Sequence, residues 1–199
     1  CCKRKIDQMS LIEQVHEKKI LILLEIYEEV QLRILQEKDV TNKYVNWMND
    51  YEVVKFTEQH SFTHTKETVN EFVTKKFNSK CDFLFGIYFN NNHIGNIKLG
   101  PINTNNLISD VSYFIGDKKL WGKGIASKAL MSVIHFAFNT LKLEKINAGY
   151  YQEAVASEKL LNKCGFKFES IIKPDLTSSN PKKNSIRVVI NRNDFLLLK

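Results

Sequence analysis

Apolar and polar positions along this chain follow two periods, and the places where the period changes mark its elements. Val30 to Leu35 has the spacing of a strand, and Asp39 to Met48 that of a helix, followed by a loop through Asp50. Thr65 stands where an N-cap belongs, before a helix to about Phe77 with Val69, Phe72, Val73 and Phe77 on one face. Phe83 to Phe89 and His93 to Leu99 are β-rich runs joined by Asn90, Asn91 and Asn92, residues that tolerate the positive φ of a hairpin turn. Leu107 to Ile115 is another such run. A long helix is predicted from Gly122 to about Thr140, its buried stripe carried by Ala126, Leu130, Val133, Ala137 and Leu141. Ile146 to Tyr151 reads as a strand, and Glu153 to Lys163 as a short helix closed by Gly165. Phe166 to Ile172 and Ile186 to Ile190 complete the set. The order β-α-α-β-β-β-α-β-α-β-β predicts an α/β (α+β) domain with a single mixed, mostly antiparallel sheet of about seven strands flanked by helices.

Two stretches fall outside that alternation. Residues 1–28 form a charged leader with helix-like spacing at Ile6, Met9, Ile12 and Val15, set apart as an N-terminal extension from a domain at 29–199. Pro174 to Lys183 gathers Pro, Ser, Asn and Lys into a polar linker. The 199 residues suffice for one domain with a full core, and an apolar share of 43% with a charged share of 26% suits a soluble globular protein. The longest apolar run, Ile20 to Leu24, is far short of the ~20 residues that a membrane helix needs. Cys1, Cys2, Cys81 and Cys164 show neither CxxC pairing nor metal-ligand spacing with the histidines. A cytoplasmic address, no membrane and no bound metal are therefore expected. The formal charge of +7 favours an anionic partner, and no aromatic-studded basic strand pair points to nucleic acid.

The chemistry concentrates between Asp110 and Ala129. A strand ends at Gly116, Asp117-Lys118-Lys119 follows, and Gly122-Lys123-Gly124 opens a helix. The first N–H groups of a helix lack internal partners and its dipole favours negative charge, so a diphosphate fits such a turn. Lys118, Lys119 and Lys123 add positive charge around it. A Walker A loop fails on spacing, because five residues separate Gly116 from Gly122 and Gly124 stands where the hydroxyl should be. A dinucleotide fingerprint fails because Ser127 follows and no third Gly comes. Taken alone, Gly-x-Gly could equally shape an ordinary strand–helix turn.

A second segment, Ser157-Glu158-Lys159-Leu160-Leu161-Asn162-Lys163-Cys164-Gly165-Phe166, places a helix and a Gly-Phe turn one strand further on. Together the two segments resemble the GNAT acetyltransferase superfamily. Its acetyl-CoA motif, Gln/Arg-x-x-Gly-x-Gly/Ala, is matched by Lys119, Gly122 and Gly124; its Asn-x-x-Ser helix ending in Gly-Phe is matched by Ser157, Gly165 and Phe166. Trp121-Gly122-Lys123-Gly124-Ile125-Ala126 looks most like the branch acetylating ribosomal-protein N-termini, polyamines and amino sugars. Leu32-Arg33 with Asp39, and Tyr44 to Asp50, extend the likeness from about residue 30 to the end.

The resemblance implies a GNAT-like fold and acetyl-CoA as co-substrate, held by Phe114, Ile115, Lys119, Gly122, Lys123, Gly124, Ile125 and Ala126. It also implies direct attack of an amine on the thioester without an acyl-enzyme. Such a transfer needs a base for the amine, donors for the developing oxyanion and an acid for the thiolate. The Tyr that many members carry four residues before the Gly of Gly-Phe is Leu161 here. Ser157 matches the hydroxyl that can take its place, with Tyr150 and Tyr151 behind it. The Asn of the motif is replaced by Ala154. Asp110 stands where the branch often carries a Glu, and Glu58 in the loop before the second helix is a rival base or amine anchor. His60, His64 and His93 are read as loop or turn residues, and Cys164 as a buried structural thiol.

The reading that follows is an N-acetyltransferase acting on a primary amine of a small molecule, such as a nucleotide-linked amino sugar. Alternatives are a protein N-terminus or polyamine as acceptor, or a non-catalytic acyl-CoA-binding module that Ala154 and Leu161 would explain. A homodimer stays open.

Overall fold

The computed structural model describes residues 11–19, 23–27, 29–173 and 184–197. Ile6, Met9 and the expected linker Pro174 to Lys183 lie outside them. Eight strands form one sheet: β1 (Leu23–Tyr27), β2 (Val30–Ile34), β3 (Phe83–Phe89), β4 (Asn92–Asn103), β5 (Ile108–Ile115), β6 (Lys145–Tyr151), β7 (Lys167–Ile172) and β8 (Ser185–Asn191). Their spatial order is β1-β2-β3-β4-β5-β6-β8-β7. Every neighbouring pair is antiparallel except β5 with β6. The expected seven strands are all present. The eighth, β1, falls in the stretch set apart as a leader, beyond the helix-like spacing that ends at Val15, where the continuous apolar run Ile20 to Leu24 shows no alternation to mark a strand.

Helix α1 covers residues 11–17. The others are α2 (Asn42–Asn49), α3 (Tyr51–Val54), α4 (Lys66–Asn78), α5 (Ile125–His135), α6 (Val155–Lys163) and α7 (Arg192–Leu196). The helix expected from Asp39 begins later, because Glu37–Asp39 is a 3-10 turn and Thr41 caps α2, its side chain accepting from Tyr44 N–H at 3.3 Å. Thr65 caps α4 as expected, through a reciprocal pair with Thr68. The long helix from Gly122 opens at Ile125 with Gly124 as its left-handed N-cap, and it ends in a π-turn at Phe136–Thr140. Asn90 and Asn91 take φ of 48° and 62°, the left-handed pair that a two-residue hairpin turn requires.

Helices cover both faces of the sheet. On one face, α5, its π-turn and Phe195 pack Leu130, Val133, Ala137 and Phe138 against Leu32, Phe85 and Ile97, all essentially without exposure. Ile12 is buried in the same cluster, and Val15 packs on it. On the other face a smaller cluster holds Tyr44, Trp47, Met48, Val54, Val69, Val73 and Leu84. Phe72, expected on the buried side of α4, is 42% exposed, because that side faces an opening rather than packed side chains.

Lys19 joins the leader to the rest. Its buried ammonium donates to the carbonyls of Lys76, Phe77, Ser79 and Asp82 at 2.6–3.3 Å, meeting carbonyls that the end of α4 leaves without helical partners. Burial pulls its pKa down to about 8, opposed by Asp82. Nearby, His16 stacks on Phe83 at 4.2 Å between centroids, and burial pulls the imidazole down to about 4.

Candidate active site

The parallel pair at the centre of the sheet is short. β5 and β6 are in register only at Ile108↔Lys145, Ser109↔Ile146 and Asp110↔Asn147, although β5 runs on to Ile115 and β6 to Tyr151. Beyond Asp110 the two strands part, so the backbone from Val111 to Ile115 has no strand partner on that edge among the described residues. At the far end of β5 the chain enters the turn that begins α5. Gly122 and Gly124 take φ of 74° and 76°, and a Cβ added at Gly122 would meet nothing within 4 Å. Left-handed glycines with open space before them form a cradle, since any L side chain would be strained there and would stand in that space. The first helical bond is Lys128 N–H to Gly124 O, so the preceding amides have no partner within the helix.

The cradle is tied down from behind. Lys118 pairs with Asp50 and Lys43 with Asp117, while Trp121 Nε1 donates to Ile115 O at 2.8 Å. The Trp47 ring lies so close to Gly116 that a Cβ there would approach its Cδ2 to 2.1 Å. Gly116 is thus needed for close approach, and it fixes the turn against α2.

The fork between β5 and β6 opens into a cavity of about 920 Å3 on the α2–α4 face. Glu58, Phe114 and Ser157 all line it, and so do Tyr150 and Tyr151. Ser157, on the first turn of α6, stands beside Tyr113; burial raises the phenol's pKa and the Ser157 hydroxyl opposes that shift. Glu58 opens a 3-10 turn, Glu58–Ser61, and is exposed. Asp110 does not line the cavity: its carboxylate accepts from Asn147 Nδ2 at 3.0 Å and lies 3.8 Å from Arg187. Outside the cavity, Ile115 ends β5, Lys119, Gly122, Lys123 and Gly124 lie along the turn, and Ile125 and Ala126 begin α5.

Three histidines were read as loop or turn residues. His60 and His64 are, with His64 lining the cavity and its backbone held by Asn49 through two bonds of 2.9 and 2.7 Å. His93 is instead on β4, its Nε2 2.7 Å from Asn96 Oδ1, and burial lowers its pKa. Cys164 is buried, and burial pushes the thiol up to about 11, well above the range of a reactive thiolate. Ala154 begins α6 without a side-chain cap. Arg33, Asp39 and Tyr88, distant in sequence, meet as a stack: the Arg33 guanidinium lies 3.6 Å from the Tyr88 ring centre.

Phe72, Asn96, Lys98 and Tyr113 also line the cavity, beyond the residues expected there. Lys98 left a signal, a charged side chain within the apolar run His93 to Leu99, and strand alternation alone would have aligned it with Asn96. The other three look like packing residues until the strands part.

The sheet is thus mostly antiparallel and forks beside the glycine turn that opens α5. A family model described as acetyltransferase (GNAT) domain matches residues 29–167. The chain belongs to the GNAT acetyltransferase family. It is 24% identical over 153 residues to a probable N-acetyltransferase, YjcK, of Bacillus subtilis, covering 75% of this chain and 83% of the relative. It is 34% identical over 80 residues to the uncharacterized N-acetyltransferase p20 of Bacillus licheniformis, a match spanning 40% of this chain and 44% of that protein. Among solved structures, spermidine N-acetyltransferase from Vibrio cholerae, in complex with CoA and spermine, superposes with a TM-score of 0.74 at 20% identity, covering 85% and 99% of the two chains. The expectations of a GNAT-like fold and an acetyl-CoA-dependent N-acetyltransferase hold. Among the described residues no helix is long and apolar enough to cross a membrane.

Proposed function

We propose that this chain transfers acetyl from acetyl-CoA directly to the primary amine of a small acceptor, and that a phosphorylated or nucleotide-linked amino sugar suits its cavity better than a polyamine. The observation that carries the transfer is the fork, because it joins the cradle to the cavity. Pyrophosphate sits on the amides of Gly122 to Ala126, with Lys119 and Lys123 at its flank. The pantetheine arm runs along the open edge of β5 past Phe114 and Ile115, where unpaired backbone groups can bond its amides as an added strand would. That brings the thioester to the mouth of the cavity, beside Ser157.

The amine nitrogen then attacks the thioester carbonyl, the C–S bond breaks, and the proton lost by the amine balances the proton gained by the thiolate. Ser157 passes its proton to sulfur and recovers one from the nitrogen that has attacked, directly or through water. Glu58, exposed at the cavity rim, draws in the ammonium and accepts its proton, directly or through water. Asp110 is held by Asn147 and Arg187 outside the lining, and it acts as a charge behind the fork rather than as the base. Cys164, buried with a raised pKa, supports transfer without an acyl-enzyme.

Acceptor class follows from charge. Glu58 is the one carboxylate among the described lining residues, against Lys98 and Lys173. A polycationic chain would find little to neutralise it there, whereas an anionic sugar would find Lys98 and Lys173. The test is thiol release on mixing the protein with acetyl-CoA and a panel of amino sugars, polyamines and N-terminal peptides. Release with an amino sugar and not with spermidine is expected. CoA binding without release for any amine would leave a binding module in place of an enzyme. Gly124→Glu should abolish CoA binding with the fold intact, since it sets a side chain and a negative charge where pyrophosphate lies; unchanged affinity would sink the cradle.

A further inference from the structure

Lys98 stands at the middle of β4, paired with Leu84 on one side and Ser112 on the other. Antiparallel pairing puts Lys98, Ser112, Asn96 and Phe114 on the face that carries α2–α4, and all four line the cavity. A lysine at such a position needs a partner, because the side chain is half-buried on a face where its strand neighbour is the buried Leu84. Among the described residues the Lys98 ammonium makes no hydrogen bond and no ion pair. Two carboxylates, Asp82 and Asp110, are close enough to act on it electrostatically, and both are already engaged. Asp82 binds Lys76 at 3.0 Å and accepts from Ser79, while Asp110 accepts from Asn147 and faces Arg187. Lys76 adds repulsion, and burial itself disfavours the charge, so the ammonium of Lys98 is held below its usual pKa.

A cation whose nearest carboxylates are already engaged, in a cavity lined by two lysines and by Glu58 as the one carboxylate among the described residues, is stabilised by an anion brought in from outside. We propose that Lys98 is the acceptor-specificity residue of this enzyme and binds an anionic group, phosphate or carboxylate, on the molecule whose amine is acetylated. Ser112 and Asn96, its neighbours on the same face, offer further hydrogen bonds to the same oxygens. Glu58 and Lys98 then divide the acceptor between them, the ammonium end at the rim and the anionic end on the floor. The assignment rests on the cavity being the acceptor site and extends it to a charge requirement.

Matched pairs of amines separate this from the transfer reaction. Glucosamine 6-phosphate against glucosamine tests phosphate, and γ-aminobutyrate against butylamine tests carboxylate, each titrated calorimetrically into the CoA-loaded protein. At least one anionic member should bind about tenfold more tightly than its neutral partner, a difference of about 1.4 kcal/mol. Lys98→Gln should erase that ratio while leaving CoA affinity and the far-ultraviolet circular dichroism unchanged, and Lys98→Arg should keep most of it. Which pair shows the preference identifies phosphate or carboxylate as the group bound. Equal affinities within both pairs, absence of binding by all four, or a ratio that survives Lys98→Gln would each overturn the assignment. Thiol release is read separately: none with any amine would sink the transfer reaction, and the binding ratio would still decide Lys98.

Discussion

On the α5 side of the sheet, Leu130, Val133, Ala137 and Phe138 close over Leu32, Phe85 and Ile97 until none is more than 1% exposed. On the α2–α4 side the packing stops short: Tyr44, Trp47, Val69 and Val73 are buried, but Phe72 and Phe62 stay 42% and 64% exposed beside a cavity of about 920 Å3. The difference comes from what each face is asked to do. A long helix with an apolar stripe can fill one face completely, and that stability lets the opposite face be built from short helices and turns around an empty space. Two lysines differ as well. Lys19, at the end of α4, is satisfied by four carbonyls, while Lys98 on the cavity side is left without an anion of its own.

Truncating each face should reveal the contrast, and the largest effect belongs to the closed one. Leu130→Ala opens a void in a fully packed layer and should cost roughly 3 kcal/mol in urea unfolding, with the acceptor KM unchanged in the fraction that remains folded. A cost under about 1 kcal/mol would show that the closed face can collapse and that the two faces differ less than their packing suggests.

Acid should weaken the same side next. The His16 pKa falls from 6.5 in the unfolded chain to about 4 in the fold, so the folded state binds fewer protons between those values. Its contribution is present above pH 6.5 and is lost as the pH drops toward 4. His16→Phe should keep the stack on Phe83 and remove roughly 2 kcal/mol of that pH dependence, a figure reduced for the part of the ring that water still reaches. Melting curves of the two proteins that fall in parallel from pH 6.5 to 4 would exclude His16 as the cause.

Phe72→Ala should have the smallest effect on stability, about 1 kcal/mol or less, because the ring is already half in water. Its effect should appear instead as a raised acceptor KM, measured with whichever amine supports thiol release. A large loss of stability with unaltered KM would make Phe72 a core residue and the cavity narrower than its lining implies.

Where the sequence was legible, local chemistry set the outcome. Thr65 announced α4, the Asn90–Asn91 pair announced the hairpin, and Gly122 with Gly124 announced the turn that opens α5, each through a backbone preference that acts within a few residues. Residues whose role depends on what packs opposite were read less well. β1 was taken for part of a leader because its pairing with β2 cannot be seen in its own spacing. His93 was placed in a turn because β4 begins one residue earlier than the alternation suggested. Phe72 fell on the apolar side of its helix, and nothing in the pattern says that this side borders open space.

By itself the sequence determined the succession of elements, the helix caps and the glycine turn, all of which follow from dihedral preferences and short-range hydrogen bonds. Only the tertiary structure decided that β5 and β6 part after Asp110, that Asp110 is claimed by Asn147 and Arg187, and that Lys98 faces a cavity with its nearest carboxylates already taken. Those outcomes depend on which strands lie side by side and how far their register holds. Pairing between residues tens of positions apart sets both, so neither is written in the spacing along any one strand.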